Sequence, residues 1–598
     1  MTRYTCAVMF PASTPRRITL LSALAAVLGL LSGAAAWVLV SLISLITNFS
    51  LFGQIGWELP SMSTLEVGPR IVIAAVIGGL LVGLIAKWSP LIKGHGIPEA
   101  MESVLRNQSR VAPRTAIAKP LSAAIAIGTG GPFGAEGPII VTGGSLGSLI
   151  GQVIDVSPSE RKILLACGAA GGMAATFGAP IAAIVLAIEL LLFEFSTRAF
   201  IPIAISASVA GGVHSAIFGA GPLFTVPDHV FAGLSDLPYF IPLGILAGLA
   251  AVVIAKGLFL VEAGFRRLPV SETWHPAIGA LGFAIIGLGV PNVLGVGYDV
   301  IDEVLSGQLA VGTLAVLAVA KLVAWWLALG SGTSGGTLAP ILLIAGAFGA
   351  VVGHATLAVF PGTELGAGAF SLVAMAAIFG AATRATLTSI VFVFELTRDY
   401  EAILPLILAA VLADLVATWF LPQTLMTEKL ARRGVRVPSD LQADAMASGI
   451  VGELMTRHVT TVTPDATVGV VLDLVQSSGH SAFPVIEDDD VMVGIVTRSD
   501  LLDPTRGDRD TPIMEIARTD VVTVTKRDSL RDAIDKMIME GVEHIPVVEG
   551  DRLVGMCTRT DILGSQSRQL REDRRQKGWR PPRRGRTRHP SGGGDAST

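Results

Sequence analysis

The chain has 598 residues, of which 51% are hydrophobic, only 15% are charged and 67 are glycine; the mean hydropathy is +0.64. That balance excludes an ordinary soluble enzyme, a disordered chain and a coiled coil, and predicts a polytopic membrane protein. The net charge of −4 hides an uneven spread: nine Arg and one Lys against Glu572, Asp573 and Asp595 give residues 568–598 a charge of +7, leaving −11 on the rest.

Residues 1–17 form a short N-terminal segment in which Arg3, Arg16 and Arg17 precede an uncharged run from Ile18 to Trp57. Basic residues ahead of a first apolar helix favour a cytoplasmic N-terminus. At 1.5 Å per residue the run exceeds a bilayer core of about 30 Å, so the first helix tilts or ends before Trp57. It is also too long for the apolar core of a signal peptide. Further apolar segments follow near 71–86, 114–127, 137–155, 161–191, 197–218, 237–260, 275–290, 310–329, 337–360, 366–382, 385–397 and 402–421. Many are too short to cross alone and imply tilted or half-spanning helices. Broken helices of this kind face protein or a watery cavity, and usually mark an ion or substrate site.

Two internal repeats organise the chain. At a constant offset of 202, Gly134, Pro138, Ile139, Gly144, Gly147 and Gly151 match Gly336, Pro340, Ile341, Gly346, Gly349 and Gly353. The run from Ala174 to Ala179 matches that from Ala376 to Ala381 at the same offset in all but its third position, Thr176 against Ile378. The membrane region, 18–434, therefore divides into two homologous halves. After a linker at 435–450 the hydropathy drops, and Thr463, Pro484, Gly494, Thr497 and Asp500 recur 61 or 62 residues later as Thr525, Pro546, Gly555, Thr558 and Asp561. This pair of modules, 451–506 and 507–566, reads as strand, helix, strand, strand, helix in each copy. Residues 567–598 form a basic tail rich in Arg, Pro and Gly, expected to be disordered and given no role. Cys6, Cys167 and Cys557 are too scattered for a disulfide framework or a metal site.

Three Gly and Pro motifs carry the chemistry: Gly94-His95-Gly96-Ile97-Pro98, Gly134-Ala135-Glu136-Gly137-Pro138 and Gly336-Thr337-Leu338-Ala339-Pro340. Each is expected to open a half-helix. Glycine admits close backbone approach, proline suits a first turn, and free N–H groups at a helix start favour an anion without a buried cation. Three such starts converging would make a dehydrated anion site.

These motifs resemble the CLC family of chloride channels and chloride/proton exchangers, whose patterns are GSGIP, G(K/R)EGP and GxFxP. The resemblance spans residues 18–434 and implies an all-α inverted-repeat membrane fold, a homodimer in the plasma (inner) membrane with cytoplasmic termini, and chloride or a related anion at the helix starts. It implies anion contacts at Gly94, His95, Gly96, Ile97, Pro98, Ala135, Gly137, Thr337, Leu338 and Ala339, with Glu136 as the gate whose carboxylate occupies an anion position and swings away. A carboxylate mimics the permeating anion in charge, and helix-start amides bind either.

Several positions depart from the family pattern. His95 stands for the serine of GSGIP, where an imidazole either donates to an anion, titrates or is merely neutral lining. Leu338 replaces the Phe of GxFxP, and Ala135 the basic residue before the gate. Met426 replaces the tyrosine that closes the inner side of the central site, and a thioether donates no hydrogen bond. Leu190 stands where exchangers often carry an inner glutamate, leaving Glu189 and Glu194 as possible proton relays. A purely structural role as buried polar partners is the alternative for Glu189, Glu395, Asp414 and Lys321. Passive conduction of chloride and proton-coupled exchange both stay open.

The second repeat resembles a tandem CBS pair, an α/β cytoplasmic module, through Gly494-Ile-Val-Thr497-Arg-Ser-Asp500 and Gly555-Met-Cys-Thr558-Arg-Thr-Asp561. In that family Asp accepts from ribose hydroxyls and Thr binds phosphate, so Thr497, Asp500, Thr558 and Asp561 are candidate contacts for ATP, ADP or AMP. A dimer contact without ligand is the other reading. No Walker A motif is present, and neither hydrolysis nor any other enzyme activity is expected. A CBS-bearing intramembrane metalloprotease would need an H-E-x-x-H pair, which is absent. A CBS-bearing magnesium or other cation channel would present carboxylates or carbonyls in place of N–H groups. No metal, required cofactor or nucleic acid is expected.

Overall fold

The computed structural model describes residues 15–154, 156–226, 233–363, 365–435, 437, 450–503 and 507–562. Cys6, Arg3, most of the 435–450 linker and the basic tail lie outside them. The chain divides into two compact units, Met1–Asp444 and Ala445–Thr598.

In the first unit the helices of the N-terminal half are α1 (Pro15–Thr47), α2 (Pro69–Trp88), α3 (Ile97–Arg106), α4 (Pro113–Gly128), α5 (Glu136–Val153), α6 (Pro158–Phe177), α7 (Pro180–Leu186) and α8 (Thr197–Phe218). The C-terminal half holds α9 (Leu237–Arg266), α10 (His275–Gly289), α11 (Tyr298–Leu305), α12 (Val311–Gly330), α13 (Leu338–Val359), α14 (Ala367–Thr383), α15 (Thr386–Thr397), α16 (Ile403–Phe420) and α17 (Glu428–Arg432). Among the described residues seven helices are long and apolar enough to cross a bilayer. The first continues as a π-turn over Asn48–Phe52 and stops at Gly53, whose φ of +75° ends it before Trp57. The apolar run 161–191 is two helices, because Gly178 takes the left-handed conformation (φ +64°) and Pro180 restarts the chain. Of the three motif helices only α3, with 10 residues, is as short as half a span; α5 and α13 run for 18 and 22, since their Gly- and Ala-rich continuations go on packing.

The 202-residue periodicity is a structural symmetry. Equivalent residues Gly134 and Gly336 pair with each other antiparallel, Gly336 N–H to Gly134 O at 2.9 Å and Gly134 N–H to Gly336 O at 3.4 Å. An antiparallel contact between equivalents requires a local two-fold axis between the halves. The repeated glycines are helix-contact positions: a Cβ at Gly147 would overlap the Leu164 carbonyl on α6, and one at Gly349 the Phe370 carbonyl on α14. Small residues let membrane helices approach this closely.

Buried polar groups repeat too. Lys119 and its equivalent Lys321 are fully buried. Lys119 Nζ donates to Ile92 O and Gly94 O, both at 2.8 Å, and Lys321 Nζ to Val293 O and Gly295 O at 2.9 and 3.0 Å. Glu395 on α15 accepts the Ile181 and Ala182 N–H groups that open α7 (3.0 and 2.6 Å), and Glu189 accepts the Thr388 N–H that opens α15 (2.9 Å). The two helices thus cap each other, which satisfies donors that hydrocarbon would leave orphaned. Glu160 joins three helix starts: it closes a capping box with Ser157 on α6 and pairs with Arg17 of α1 and Arg198 of α8.

The second unit holds two β-hairpins, β1 (Ala482–Ile486) with β2 (Met492–Thr497), and β3 (His544–Glu549) with β4 (Arg552–Thr558). Each follows a helix, Val468–Ser478 or Leu530–Glu540. The expected first strand of each copy is only a single bridge, Val462 to Val485 and Val524 to Val547, because the chain touches its hairpin at one residue. The closing helix of the first copy is four residues, Arg498–Leu501. The two cores interleave in sequence. Val451 and Met455 pack with Val524, Leu530, Ile545 and Val547, while Ile513 and Ile516 pack with Val471, Phe483 and Val485.

Gly96 has φ +98°, and a Cβ there would meet the Gly137 carbonyl. Gly96→Ala is expected to destabilise by about 1–3 kcal/mol through backbone strain alone, lowering the melting midpoint in detergent. Gly289→Ala, with open space around it, should leave that midpoint in place.

Candidate functional site

The three motif loops are stitched together by backbone. Gly94 pairs with Ser334 through Gly94 N–H to Thr333 O (3.3 Å), and Gly134 with Gly336. A Cβ on Gly137 would overlap the carbonyl oxygen of His95. The starts of α3, α5 and α13 are thereby brought to one place, with Ile97, Pro98, Ala135, Gly137, Thr337, Leu338 and Ala339 all buried.

Glu136 is the first residue of α5 and is 1% exposed. Its Oε1 accepts two backbone hydrogen bonds from the first turn of α13, Leu338 N–H at 2.5 Å and Ala339 N–H at 2.9 Å. Its Oε2 has no partner. Leu338 is the 202-offset counterpart of Glu136, so the carboxylate sits on the amide of its own symmetry mate. The space exists because both flanking equivalents are glycines: a Cβ on Gly134 or Gly336 would collide with this carboxylate. Two amide donors and the positive end of a helix dipole hold the negative charge with no direct cation, since the nearby Lys321 Nζ is engaged by carbonyls.

His95 is 6% exposed and its Nδ1 has no partner. Met426 is fully buried, and its N–H is turned to Thr424 Oγ1 (3.2 Å). His95 and Leu425 line a cavity of about 370 Å3 that also carries Lys93, Arg266, Lys429 and Arg433 against Glu262 and Glu272. Lys429 donates to Lys93 O (3.0 Å) and pairs with Glu99, whose other oxygen accepts the Gly96 N–H (2.8 Å). The lining thus carries four Lys and Arg side chains, of which Lys93, Lys429 and Arg433 are ion-paired with Glu272, Glu99 and Glu102.

The candidate proton relays lie elsewhere. Glu189 is bonded to Thr388 through N–H and Oγ1 (2.9 and 2.5 Å), and Glu194 pairs with Lys162 at 3.2 Å. Among the described residues no hydrogen bond links either to Glu136, and Leu190 is buried among apolar neighbours. Two buried hydroxyls near the helix starts, Ser334 Oγ and Tyr298 Oη, have no partner. Sequence patterns gave no sign of either, because neither falls in a recognisable motif.

In the second unit the four candidate residues form two equivalent helix caps. Asp500 Oδ2 accepts Thr497 N–H and Oγ1–H at 3.1 and 2.5 Å, and Asp561 Oδ2 accepts Thr558 N–H and Oγ1–H at 3.0 and 2.7 Å. Ser481 and His544, one from each copy, are 2.9 Å apart. Burial raises the Asp500 carboxyl, but the Thr497 bonds and Arg518 at 3.4 Å more than offset it and hold the group below the usual aspartate range. The Cys557 thiol is pushed by burial up to about 11, so it is inert.

Because the Asp500 pKa is depressed, the cap's ionic contribution is present above the ordinary aspartate range and is lost as pH falls through it. Thr497→Ala should destabilise the second unit by about 1 kcal/mol, read as a shift in its chemical-denaturation midpoint at neutral pH. The difference from wild type should shrink on acidification.

Comparison with known proteins agrees with this geometry. Residues 77–418 match the family model of voltage-gated chloride channels, and residues 451–504 and 513–568 each match that of the CBS domain. The chain is 31% identical over 431 residues to the H(+)/Cl(−) exchange transporter ClcA of Vibrio campbellii, covering 70% of this chain and 91% of the relative. It is 28% identical over 574 residues to chloride channel protein CLC-f of Arabidopsis thaliana, covering 83% and 72%. The crystal structure of a slow cyanobacterial Cl−/H+ antiporter superposes with a TM-score of 0.63 at 26% identity, covering 69% of this chain and 97% of the other.

Proposed function

The chain belongs to the voltage-gated chloride channel family and carries a CBS pair, and on that premise we propose that Glu136 gates chloride movement past the starts of α3, α5 and α13. The observation that carries this reading is the Glu136 carboxylate seated on the Leu338 and Ala339 amides. Those donors suit a chloride equally well, so carboxylate and anion compete for one position. The other contacts of the path are Gly94, His95, Gly96, Ile97 and Met426, with the basic cavity feeding them. Met426 closes that end without a hydrogen bond of its own.

The same reading includes a homodimer in the plasma (inner) membrane with both termini cytoplasmic, supported by family membership and by Arg16 and Arg17 ahead of α1. It also includes an adenine nucleotide between the CBS modules, supported by the matched caps at Thr497–Asp500 and Thr558–Asp561. Proton-coupled exchange is the second reading. The exchangers among the similar proteins favour it, whereas Leu190 and the engaged states of Glu189 and Glu194 favour conduction.

The deciding measurement is chloride efflux and external pH recorded together from proteoliposomes under an outward chloride gradient. Efflux is expected for wild type, and Glu136→Ala should carry chloride with no proton movement and with little dependence on pH. External alkalinisation in wild type that Glu136→Ala abolishes identifies exchange; efflux without it identifies conduction. Absence of chloride flux in both proteins overturns the selectivity reading.

A further inference from the structure

The gating carboxylate has one oxygen bound and one orphaned. Glu136 Oε2 is buried and makes no hydrogen bond, and a buried acceptor left so is costly. A second orphan stands at the start of α11, which packs on α13: the Tyr298 hydroxyl is also buried and unpartnered, and a Cβ at the preceding Gly297 would lie 3.4 Å from Leu343 of α13 and 3.6 Å from Lys321 Nζ. Lys321, the cation that acts on Glu136, has Nζ committed to Val293 O and Gly295 O.

The phenol is fixed in place. Tyr298 opens α11 immediately after Gly297, whose φ is +83°. Its ring is partly exposed and meets Phe177 edge-on (centroids 6.2 Å apart) and Phe224 (6.1 Å), and Phe177 in turn meets Phe392 at 5.1 Å. Phe224 is held by its N–H to Leu396 O (3.1 Å). Among the described residues these aromatic walls offer the hydroxyl no hydrogen bond.

The location fits a movement of the carboxyl toward the end opposite His95. Asp299, next to Tyr298, accepts from Ser61 in the loop before α2, while Lys93 and His95 follow the other end of that 20-residue helix. Tyr298 and His95 therefore lie toward opposite ends of the path, with the Glu136 contact between them.

We propose that the Tyr298 hydroxyl is the second seat of the Glu136 carboxyl group, receiving it when an anion takes the Leu338 and Ala339 amides. Tyr298 is then a positioning residue that stabilises the open gate. The bond is a simple exchange: two amide donors released to the anion, one phenol donor gained by the carboxylate, or the phenol oxygen accepting if the carboxyl has been protonated. The inference rests on the reading of Glu136 as the gate.

The test is a double-mutant cycle in proteoliposomes: chloride efflux for wild type, Tyr298→Phe, Glu136→Ala and the double variant. Phenylalanine keeps the ring contacts. Tyr298→Phe should slow efflux about ten- to a hundredfold, the weight of one hydrogen bond to a charged group, and should have no effect once Glu136 is Ala. Equal slowing in both backgrounds would mean that Tyr298 acts on the anion or on the fold, and would overturn the proposal. No slowing in the Glu136 background would overturn it as well. If Glu136→Ala alone leaves efflux and its pH dependence unchanged, the gate reading itself has failed, and the two failures are told apart by that single variant.

Discussion

Gly134 and Gly336 meet back to back, and most of the membrane unit follows from that contact. Equivalent residues can pair antiparallel only across a two-fold axis, so the contact sets the two halves in opposite senses and brings the starts of α5 and α13 together. It tolerates no side chain, since a Cβ on either glycine would occupy the volume of the Glu136 carboxylate. A charge in a water-poor interior has to be met by fixed dipoles or cations. Here the dipoles are the first amides of a helix that the symmetry has already aimed.

The halves are symmetric in backbone and asymmetric in charge. Position 136 carries a carboxylate and its equivalent, 338, an apolar side chain with an open N–H. One half supplies the carboxylate and the other the amides that bind it. Elsewhere the symmetry is kept, as in Lys119 with Lys321 and in the reciprocal caps of α7 and α15, and there the polar groups are consumed by structure. Polar residues that both halves retain in one bonding pattern hold the scaffold.

Much of this was legible in the sequence. Glycine and proline are local signals, so the helix starts, the glutamate that opens α5, the 202-residue repeat and the paired modules all showed in short motifs. What escaped depends on partners distant in the chain. Nothing near Tyr298 tells that its hydroxyl is buried without a partner, and nothing near Glu99 tells that Lys429 reaches it. The break at Gly178 was hidden inside a continuous apolar run because hydropathy does not record a left-handed φ. Glu189 could be read as a proton relay or as a buried structural partner, and its bonds to Thr388, 199 residues away, were not visible in the sequence. In the second unit, periodicity found helices and hairpins but not the first strands, which shrink to one bridge each.

The interleaved cores of the second unit have a mechanical corollary. The segment that enters this unit first, Val451 to Met455, belongs to the core of the module encoded last, and Gly452 and Thr456 are bonded to Lys526 and Met556 there. Tension arriving along the polypeptide from the membrane half is therefore loaded onto the distal module and reaches the nearer one only through it. Neither module can be excised at the midpoint of the sequence without losing a piece of its own interior, and the pair has to bear load as one body.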